Sequence, residues 1–341
     1  MPRAVALFSG SLDSMLAVRI VEEQGFVVHA LHVRTLSDCG RGQAEQVAAS
    51  LGIALTILPV GDDYLDLVRR PRFGYGRGMN PCIDCRIYMC RMAKRLMGEL
   101  GAEMVVSGEV LGQRPMSQKR PDLLAIAKHS GLADRLLRPL SAQLLPPTLP
   151  ESQGLVDRAR LYRFTGTGRR PLIELAQRFG ISAIPPLSSG CILADRAMAA
   201  RLRDLLRYRP DASRWDFELA RRGRHFRYSD TTKIVLGRRA EEDAWLQSVA
   251  EQEHPTTTAL LVPENFQGPT ALLIGTVDDA AVQFAGALML LRCRQFDPAH
   301  AQVRLTRAGQ TNVIRVAPQA AAAGAQSVGE DRSAQESRNA R

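Results

Sequence analysis

The first residues whose types and spacing could do chemistry form a short polar loop near the start of the chain. An apolar run at residues 4–8 leads into Ser9-Gly10-Ser11-Leu12-Asp13-Ser14 and then into a helical pattern. A glycine lets the backbone approach an anion, hydroxyls donate hydrogen bonds, and a helix start offers free N–H groups. The same residues could simply cap a helix. Because the loop follows a strand, the sequence favours a phosphate site.

Three cysteines form a second group that could do chemistry. Cys82 and Cys85 stand at the start of a long helical pattern, and Cys191 lies in a distant Gly-containing loop that begins at Ser188 and Ser189. A helix N-terminus and nearby arginines are expected to stabilise thiolates, the form that reacts and binds metals. Three thiolates suit an iron–sulfur cluster with one open position, and they equally suit persulfide chemistry. Buried inert thiols are the plain alternative.

A third polar stretch, residues 107–118, reads Ser-Gly-Glu-Val-Leu-Gly-Gln-Arg-Pro-Met-Ser-Gln. Gly108 permits a tight approach to a nucleotide, and Gln113, Ser117 and Gln118 can hydrogen-bond to it. Three cations in or just after this stretch either bind RNA phosphate or only solvate its rim: Arg114, Lys119 and Arg120.

The elements that must position these loops alternate along the chain. Buried parallel strands are predicted at residues 4–8, 26–33, 53–60 and 104–106. Helical patterns separate them at residues 14–23, 44–51 and 83–100. This order predicts an α/β fold with a doubly wound parallel sheet, which binds ligands at the carboxyl ends of its strands. The polar loops should therefore face one active site.

The length of 341 residues predicts two domains, because a single core rarely grows far beyond ~250 residues. A helix is predicted at residues 196–206, and a charge-dense stretch follows it. We place the domain boundary at the start of this stretch, so that the first domain covers residues 1–207. A smaller α+β domain is expected at residues 208–316, and residues 317–341 have the composition of a disordered tail. The predicted strands of the second domain cover residues 225–228, 232–236, 259–262 and 271–276, and an apolar stretch follows at residues 280–291.

Composition narrows the class of partner. The net charge of +10 favours polyanions such as RNA. No stretch approaches the ~20 apolar residues of a membrane span, and no signal peptide is evident. Six cysteines are too sparse for a disulfide framework. We therefore expect a soluble cytoplasmic protein without a membrane partner, with homodimerisation as a further expectation.

The second domain contains a basic run interleaved with aromatic residues. Arg224, Phe226, Arg227 and Lys233 are the candidates for RNA binding, because cations bind phosphate and rings stack on unpaired bases. A basic solvated strand is the alternative.

The remaining cysteines and two histidines favour structural roles. Cys90 lies inside a predicted helix, Cys293 lies outside the first domain, and Cys39 lies in a Gly-rich loop. His29 and His32 lie in a predicted strand, where packing is the expected role.

The phosphate loop resembles that of the PP-loop ATP pyrophosphatases, which usually reads Ser-Gly-Gly-x-Asp-Ser. The resemblance implies an adenine nucleotide alpha hydrolase-like fold that binds ATP with Mg²⁺ and adenylates a substrate oxygen. Ser9, Gly10, Ser11 and Ser14 would then hold pyrophosphate, with Asp13 near the phosphates. Ser11 departs from the pattern, which has a second glycine there.

Residues 3–205 resemble the tRNA thiolase branch of this family. Cys85 and Cys191 match the paired cysteines of tRNA 2-thiouridylases, while Cys82, Cys85 and Cys191 match the trio that holds a [4Fe–4S] cluster in other thiolases. The trio favours the cluster, since a pair leaves Cys82 without a role. Residues 107–118 resemble a stretch of 4-thiouridine synthases, and residues 231–238 resemble the NFACT-type RNA-binding module.

These resemblances imply an ATP-dependent tRNA sulfurtransferase. ATP would adenylate a uridine carbonyl oxygen, and sulfur from a persulfide or a cluster-bound sulfide would displace AMP. The sulfur donor would be a cysteine desulfurase-type enzyme or sulfide. The alternatives are a PP-loop ligase that forms C–N bonds on RNA or a small molecule, and a non-catalytic RNA-binding or quality-control factor.

Overall fold

The computed structural model describes residues 1–36, 42–184, 190–251, 258–293 and 295–329. The chain divides into two compact units, Met1–Ala194 and Asp195–Arg341. Several residues named above lie outside the described residues: Cys39, Ser188, Ser189 and the tail from 330 to 341.

The first unit contains a parallel sheet of five strands in the order β3-β2-β1-β4-β5. The strands are β1 Arg3–Leu7, β2 Val27–Arg34, β3 Ala54–Pro59, β4 Met104–Ser107 and β5 Leu136–Leu137. Helices alternate with them: α1 Leu12–Glu22, α2 Gln43–Leu51, α3 Asp63–Arg69, α4 Cys82–Glu99, α5 Arg120–Ser130, α6 Leu149–Ser152 and α7 Arg170–Arg178. Both α1 and α4 pack against the central strand β1.

This architecture confirms the predicted doubly wound sheet, and β1 to β4 coincide with the four predicted strands. Their apolar runs are continuous because a parallel strand covered by helices buries both faces. Strand β5 escaped prediction because two residues are too short to show a pattern.

The second unit contains an antiparallel sheet of six strands in the order β11-β10-β8-β9-β7-β6. The strands are β6 Arg224–Arg227, β7 Thr232–Leu236, β8 Thr258–Pro263, β9 Ala271–Gly275, β10 Gln302–Arg307 and β11 Gln310–Arg315. The helices are α8 Arg196–Tyr208, α9 Arg214–Ala220, α10 Ala240–Ala250, α11 Asp279–Leu290 and α12 Ala320–Ala323. The unit is α+β, as predicted.

Helices cover both faces of this second sheet. Ile234 and Leu236 of β7 pack in one apolar cluster with α11, while Val235 packs in another with α10. Strands alternate their side chains between faces, so consecutive residues of β7 enter different cores. Strands β10 and β11 escaped prediction because they are mostly polar.

The observed boundaries differ from the predicted ones. Helix α8 belongs to the second unit, so the division falls after Ala194 rather than after residue 207. Residues 317–329 are ordered, because the N–H of Val328 donates to the His225 carbonyl at 2.7 Å and Ser327 forms a bridge with Phe226. These contacts join a segment of low apolar content to the edge strand β6.

In the part of the chain that the structure describes, no helix combines the length and the apolar character needed to cross a membrane.

Candidate nucleotide and sulfur site

The predicted phosphate loop lies at the carboxyl end of β1. Ser9 is exposed at its tip, and the Ser9 hydroxyl donates to Oγ of Ser11 at 2.9 Å. The Ser14 hydroxyl donates to the Ser11 carbonyl at 2.8 Å. Ser11 precedes α1 without capping it through its side chain. The loop therefore presents hydroxyls beside the N-terminus of a helix, the arrangement that binds phosphate.

The departure of Ser11 from the family pattern causes no backbone strain. Ser11 has φ −79° and ψ 159°, an extended conformation open to any residue. Gly10 has φ +71°, and a Cβ there would lie 3.0 Å from the Gln43 carbonyl oxygen. Gly10 is thus the position of this loop that requires glycine.

The second polar loop packs directly on the phosphate loop. In the register of β1 and β4, Leu7 is paired with Ser107, so the two segments that follow these strands leave the sheet side by side. A Cβ on Gly108 would lie 2.4 Å from the Asp13 carbonyl oxygen. Farther along, the Gln113 amide donates to Oδ2 of Asp13 at 3.1 Å. The structure therefore brings together residues that the sequence places far apart.

Gly108→Ala is expected to weaken ATP binding, because the added methyl group meets backbone atoms of Asp13 and Ser14 that cannot move without shifting α1. Overpacking of this kind costs ~1–3 kcal/mol, and the same free energy lost from binding would lower the affinity about five- to 150-fold. Titration calorimetry with ATP measures the effect. Gly98→Ala is the matched control, since a Cβ at Gly98 in α4 meets nothing within 4 Å. Equal ATP affinity in both variants would show that this close approach has no role in binding.

A buried ion network supports the second loop. Glu109 is 4% exposed and accepts hydrogen bonds from the Ser107 hydroxyl at 3.0 Å and from Nε of Arg138 at 2.9 Å. Nε of Arg86 lies 3.7 Å from the other carboxylate oxygen. Although burial alone would raise the pKa of Glu109, the charges of Arg138 and Arg86 lower it. The network links the second loop to α4, the helix that carries Cys82 and Cys85.

Sequence reasoning missed this network for identifiable reasons. Glu109 lies in the stretch that resembles 4-thiouridine synthases, but the sequence suggests no role for it. Arg138 lies in a mostly apolar stretch to which the sequence assigns no chemistry. A buried Arg paired with a buried Glu becomes visible only when the two strands that precede them are placed side by side.

The three predicted cysteines lie close enough for their charges to interact. Burial raises the pKa of Cys82, and the neighbouring Cys191 raises it further. Burial also raises the pKa of Cys85 to about 11, against the effects of Tyr64 and Arg86. Each of the three cysteines is half-buried. The structure therefore places the three thiols within range of one another's charge, near the start of α4.

The predicted thiolate character is not borne out. Arg86 and the start of α4 favour the charged form, but burial and the mutual repulsion of the cysteines outweigh them for Cys82 and Cys85. At neutral pH these two groups are thiols in the free protein. A cysteine that acts as a nucleophile at this site must therefore first lose its proton, or it must receive a sulfur group that is already acidic.

The trio does not form a ready-made metal site. Among residues 1–36, 42–184, 190–251, 258–293 and 295–329, no three His, Cys, Asp or Glu side chains converge on a position that could hold a metal ion. We therefore derive no reaction step through an iron–sulfur cluster.

Tyr64, which sequence reasoning also missed, contacts the sulfur site from α3. Its ring is 1% exposed, and its hydroxyl donates to Sγ of Cys85 at 3.2 Å. The Tyr88 ring packs edge-on against it at 5.3 Å. Nothing in the local sequence marks Tyr64, because one buried aromatic residue in a short helix is typical of a core.

Tyr64→Phe is expected to slow alkylation of Cys85 at any pH below about 11. The lost hydrogen bond lowers the pKa of Cys85 in the wild type, so its removal raises that pKa and reduces the thiolate fraction. Mass spectrometry of iodoacetamide-treated protein over a pH series gives the rate. Tyr88→Phe is the control, because its hydroxyl donates to Asp63 instead. Faster alkylation in Tyr64→Phe would mean that the hydroxyl only supports packing.

The cysteines and histidines expected to be structural lie in ordinary packing environments where they are described. Cys90 is 1% exposed, and the Cys293 thiol donates to the Gln267 carbonyl at 2.7 Å. His29 shares a 2.7 Å hydrogen bond with Thr56, and Nδ1 of His32 donates to the Phe8 carbonyl at 2.9 Å.

The predicted RNA-binding residues of the second unit are mostly engaged internally. Phe226 is 1% exposed in the core beside α11, so its ring offers no face to a base. Arg227 donates twice to Asp204, at 3.0 and 2.7 Å, and Nζ of Lys233 lies 3.0 Å from the same carboxylate. The stacking prediction for Phe226 is therefore wrong, and the charges of Arg227 and Lys233 are partly compensated. Arg224 lies beside Arg238 and Arg292 at a cavity of about 240 Å³.

Two family models match the chain. Residues 2–143 match the thiamine biosynthesis protein (ThiI) family, and residues 223–326 match the NFACT protein RNA binding domain. Both resemblances are confirmed. The ThiI match includes the phosphate loop, Cys82, Cys85 and the second loop.

Curated relatives are similar over shorter stretches. A tRNA-specific 2-thiouridylase MnmA from Trichlorobacter lovleyi is 29% identical over 118 residues, or 32% of this chain and 33% of the relative. A probable tRNA sulfurtransferase from Methanothermobacter thermautotrophicus is 29% identical over 133 residues, or 36% of this chain and 33% of the relative. The alignments span about a third of the length of these relatives.

Among solved structures, a 4-thiouridine synthetase–RNA complex with bound ATP is 22% identical and has a TM-score of 0.34, covering 52% of this chain and 50% of that one. A predicted tRNA methyltransferase subunit from Methanocaldococcus jannaschii is 17% identical with a TM-score of 0.33, covering 62% of this chain and 90% of that one. Superpositions at these TM-scores carry no weight for the fold or function.

Proposed function

We propose that the chain thiolates a tRNA uridine in the cytoplasm, using ATP to activate the uridine carbonyl. The second polar loop carries the proposal, because it contacts both sites. Its Gln113 amide donates to Asp13 of the phosphate loop at 3.1 Å. Its Glu109 carboxylate lies 3.7 Å from Nε of Arg86, which follows Cys85 in α4. ATP bound at the first site and sulfur bound at the second would meet beside this loop. The family matches and the tRNA-modifying relatives support uridine as the acceptor.

The first step is adenylation. The uridine carbonyl oxygen attacks the α-phosphorus of ATP, and pyrophosphate leaves. Ser9, Gly10, Ser11 and Ser14 hold the pyrophosphate through hydroxyl and backbone donors, while Gly108 and Gln113 keep the loop in place. The carboxylate of Asp13 and the loop hydroxyls are hard oxygen donors, which suit Mg²⁺, and a bound Mg²⁺ would neutralise phosphate charge.

The second step transfers sulfur. A donor of the cysteine desulfurase type loads one cysteine of the Cys85–Cys191 pair with a persulfide. Its terminal sulfur attacks the activated uridine carbon, and AMP leaves with the carbon–oxygen bonding electrons. The other cysteine then attacks the enzyme-bound sulfur, which releases the thiolated base and leaves a Cys85–Cys191 disulfide. An external dithiol reduces this disulfide. Cys82 has no step of its own in this route.

An iron–sulfur cluster on Cys82, Cys85 and Cys191 remains the competing prediction for this trio, with sulfide as its sulfur source. Metal analysis of anaerobically purified protein separates the two routes. About four irons per chain would favour the cluster, and metal-free protein that retains activity would favour the persulfide pair.

ATP–pyrophosphate exchange tests the adenylation step. We expect exchange that depends on tRNA, because adenylation is reversible while pyrophosphate is present. A non-catalytic RNA-binding factor would show none. A C–N ligase would also exchange, but it would retain full activity after replacement of the three cysteines. Homodimerisation remains a prediction.

A further inference from the structure

The exposed loop that precedes α4 combines cations with aromatic rings. Residues 72–77 are all exposed, and Phe73 and Tyr75 expose 37% and 39% of their surface. Arg70, Arg72 and Arg77 accompany these rings, and none of them forms an ion pair with any residue that the structure describes. Their neighbour Arg69, in contrast, pairs with Asp66.

This loop is held against the sulfur site. The carboxylate of Asp84, which stands between Cys82 and Cys85 in the chain, accepts hydrogen bonds from the N–H groups of Arg72 at 3.1 Å and Phe73 at 2.9 Å. At the other end of the loop, the N–H of Met79 donates to the Leu193 carbonyl at 2.9 Å, two residues beyond Cys191. Both ends of the loop are thus attached beside predicted sulfur-carrying residues.

A third contact joins the loop to the nucleotide side of the site. Gly76 packs so closely on Met116 that a Cβ there would lie 3.1 Å from the Met116 sulfur. Met116 belongs to the second polar loop and is itself 41% exposed. The Tyr75 hydroxyl donates to the Val68 carbonyl at 2.8 Å, which fixes its ring at the surface. The rings and cations are therefore presented in a defined arrangement at the rim of the site.

We propose that residues 70–77 form an RNA-binding surface that grips unpaired nucleotides next to the target base. Phosphates would contact Arg70, Arg72 and Arg77, while bases would stack on Phe73 and Tyr75. Charge complementarity favours RNA as the occupant, because unpaired cations attract phosphates and exposed rings accept bases of any sequence. The proposal rests on the proposed function only in taking RNA as the substrate.

The test measures binding of a tRNA transcript to the full chain by fluorescence anisotropy at several salt concentrations. In the triple variant Arg70→Gln, Arg72→Gln, Arg77→Gln, affinity should fall, and the log–log salt slope should be shallower by about 2 if each lost single-strand contact contributes ~0.7. Phe73→Leu should weaken binding about tenfold without changing the slope, because only stacking is lost.

The matched control removes the same charge from exposed arginines of the first unit that have acidic partners: Arg95→Gln, Arg160→Gln, Arg170→Gln. It should retain nearly wild-type affinity. Melting temperatures establish that each variant is folded. Wild-type binding by the loop triple variant would overturn the proposal. An equal loss of affinity in the control would also overturn it, because it would show that net charge alone determines the affinity.

Measurements of RNA binding and of thiolation on the same variants separate this inference from the proposed function. Loop-dependent RNA binding without thiolation would count against the proposed reaction alone. Thiolation of tRNA by a loop variant that binds RNA like the wild type would count against the loop alone.

Discussion

Asp13→Asn is expected to reduce ATP–pyrophosphate exchange by at least ~100-fold, the usual cost of removing one preorganised group that stabilises transition-state charge. The substitution keeps the size of the side chain and its contact with Gln113, but it removes the carboxylate that would hold Mg²⁺ beside the phosphates. Asp13→Ala and Ser9→Ala should show the same loss. Exchange of labelled pyrophosphate into ATP is the measurement, with Glu174→Gln as the control, since Glu174 is an exposed helical partner of Arg170.

The same substitution should not destabilise the protein. Burial raises the pKa of Asp13 above its ordinary value of 3.8, although Gln113, Arg114 and Arg169 act in the opposite direction. A carboxyl with a higher pKa in the folded state destabilises the fold at neutral pH, where ionisation favours the unfolded chain. Asp13→Asn should therefore equal or exceed the wild type in melting temperature at pH 7. This difference should vanish below about pH 3.8.

A wild-type exchange rate in both Asp13→Asn and Ser9→Ala would contradict the assignment of this loop to ATP. A lost rate accompanied by a lower melting temperature would attribute the effect to folding and contradict the account of a functional, destabilising carboxylate.

Cys85→Ser and Cys191→Ser are each expected to abolish thiolation while leaving pyrophosphate exchange intact. Serine keeps the shape of cysteine but cannot carry a persulfide, and adenylation precedes sulfur transfer in the proposed route. Liquid chromatography with mass spectrometry of digested tRNA measures thiolation, and the exchange assay reports the first step. Cys293→Ser is the control, because Cys293 lies in the second unit and its thiol donates a hydrogen bond to the Gln267 carbonyl.

Cys82→Ser distinguishes the two sulfur routes. It should retain activity if Cys85 and Cys191 act as a persulfide pair and lose it if the trio holds a cluster. Full thiolation by the triple variant of Cys82, Cys85 and Cys191 would eliminate both routes.

The arrangement of the candidate nucleotide site could largely be predicted, because the information that determines it is local. A glycine between hydroxyls after a strand marks the phosphate loop, and the alternation of elements predicts which loops share the sheet edge. The contact of Gly108 with Asp13 then follows from the strand register, in which Leu7 is paired with Ser107. Local sequence could not show that Glu109 would meet Arg86 and Arg138, because these residues belong to three separate segments.

The residues of the second unit that were candidates for RNA binding show where composition misleads. Successive residues of a strand point to opposite faces, so Phe226 and Arg227 do not share one surface. Because α11 covers one face of this sheet, Phe226 becomes a core residue, and Asp204 of α8 binds Arg227 and Lys233. The sequence pattern contains no information about which helix covers which face. Residues 70–77, in contrast, lie in an exposed loop, where cations and rings can act together.

Mass spectrometry of tRNA nucleosides from a strain that lacks this chain tests the central claim most directly. One thiolated uridine is expected to disappear from the deletion strain. The nucleoside should return when the wild-type chain is supplied, but not when Asp13→Asn or Cys85→Ser is supplied. An unchanged set of thiolated nucleosides in the deletion strain would contradict the claim that this protein thiolates tRNA.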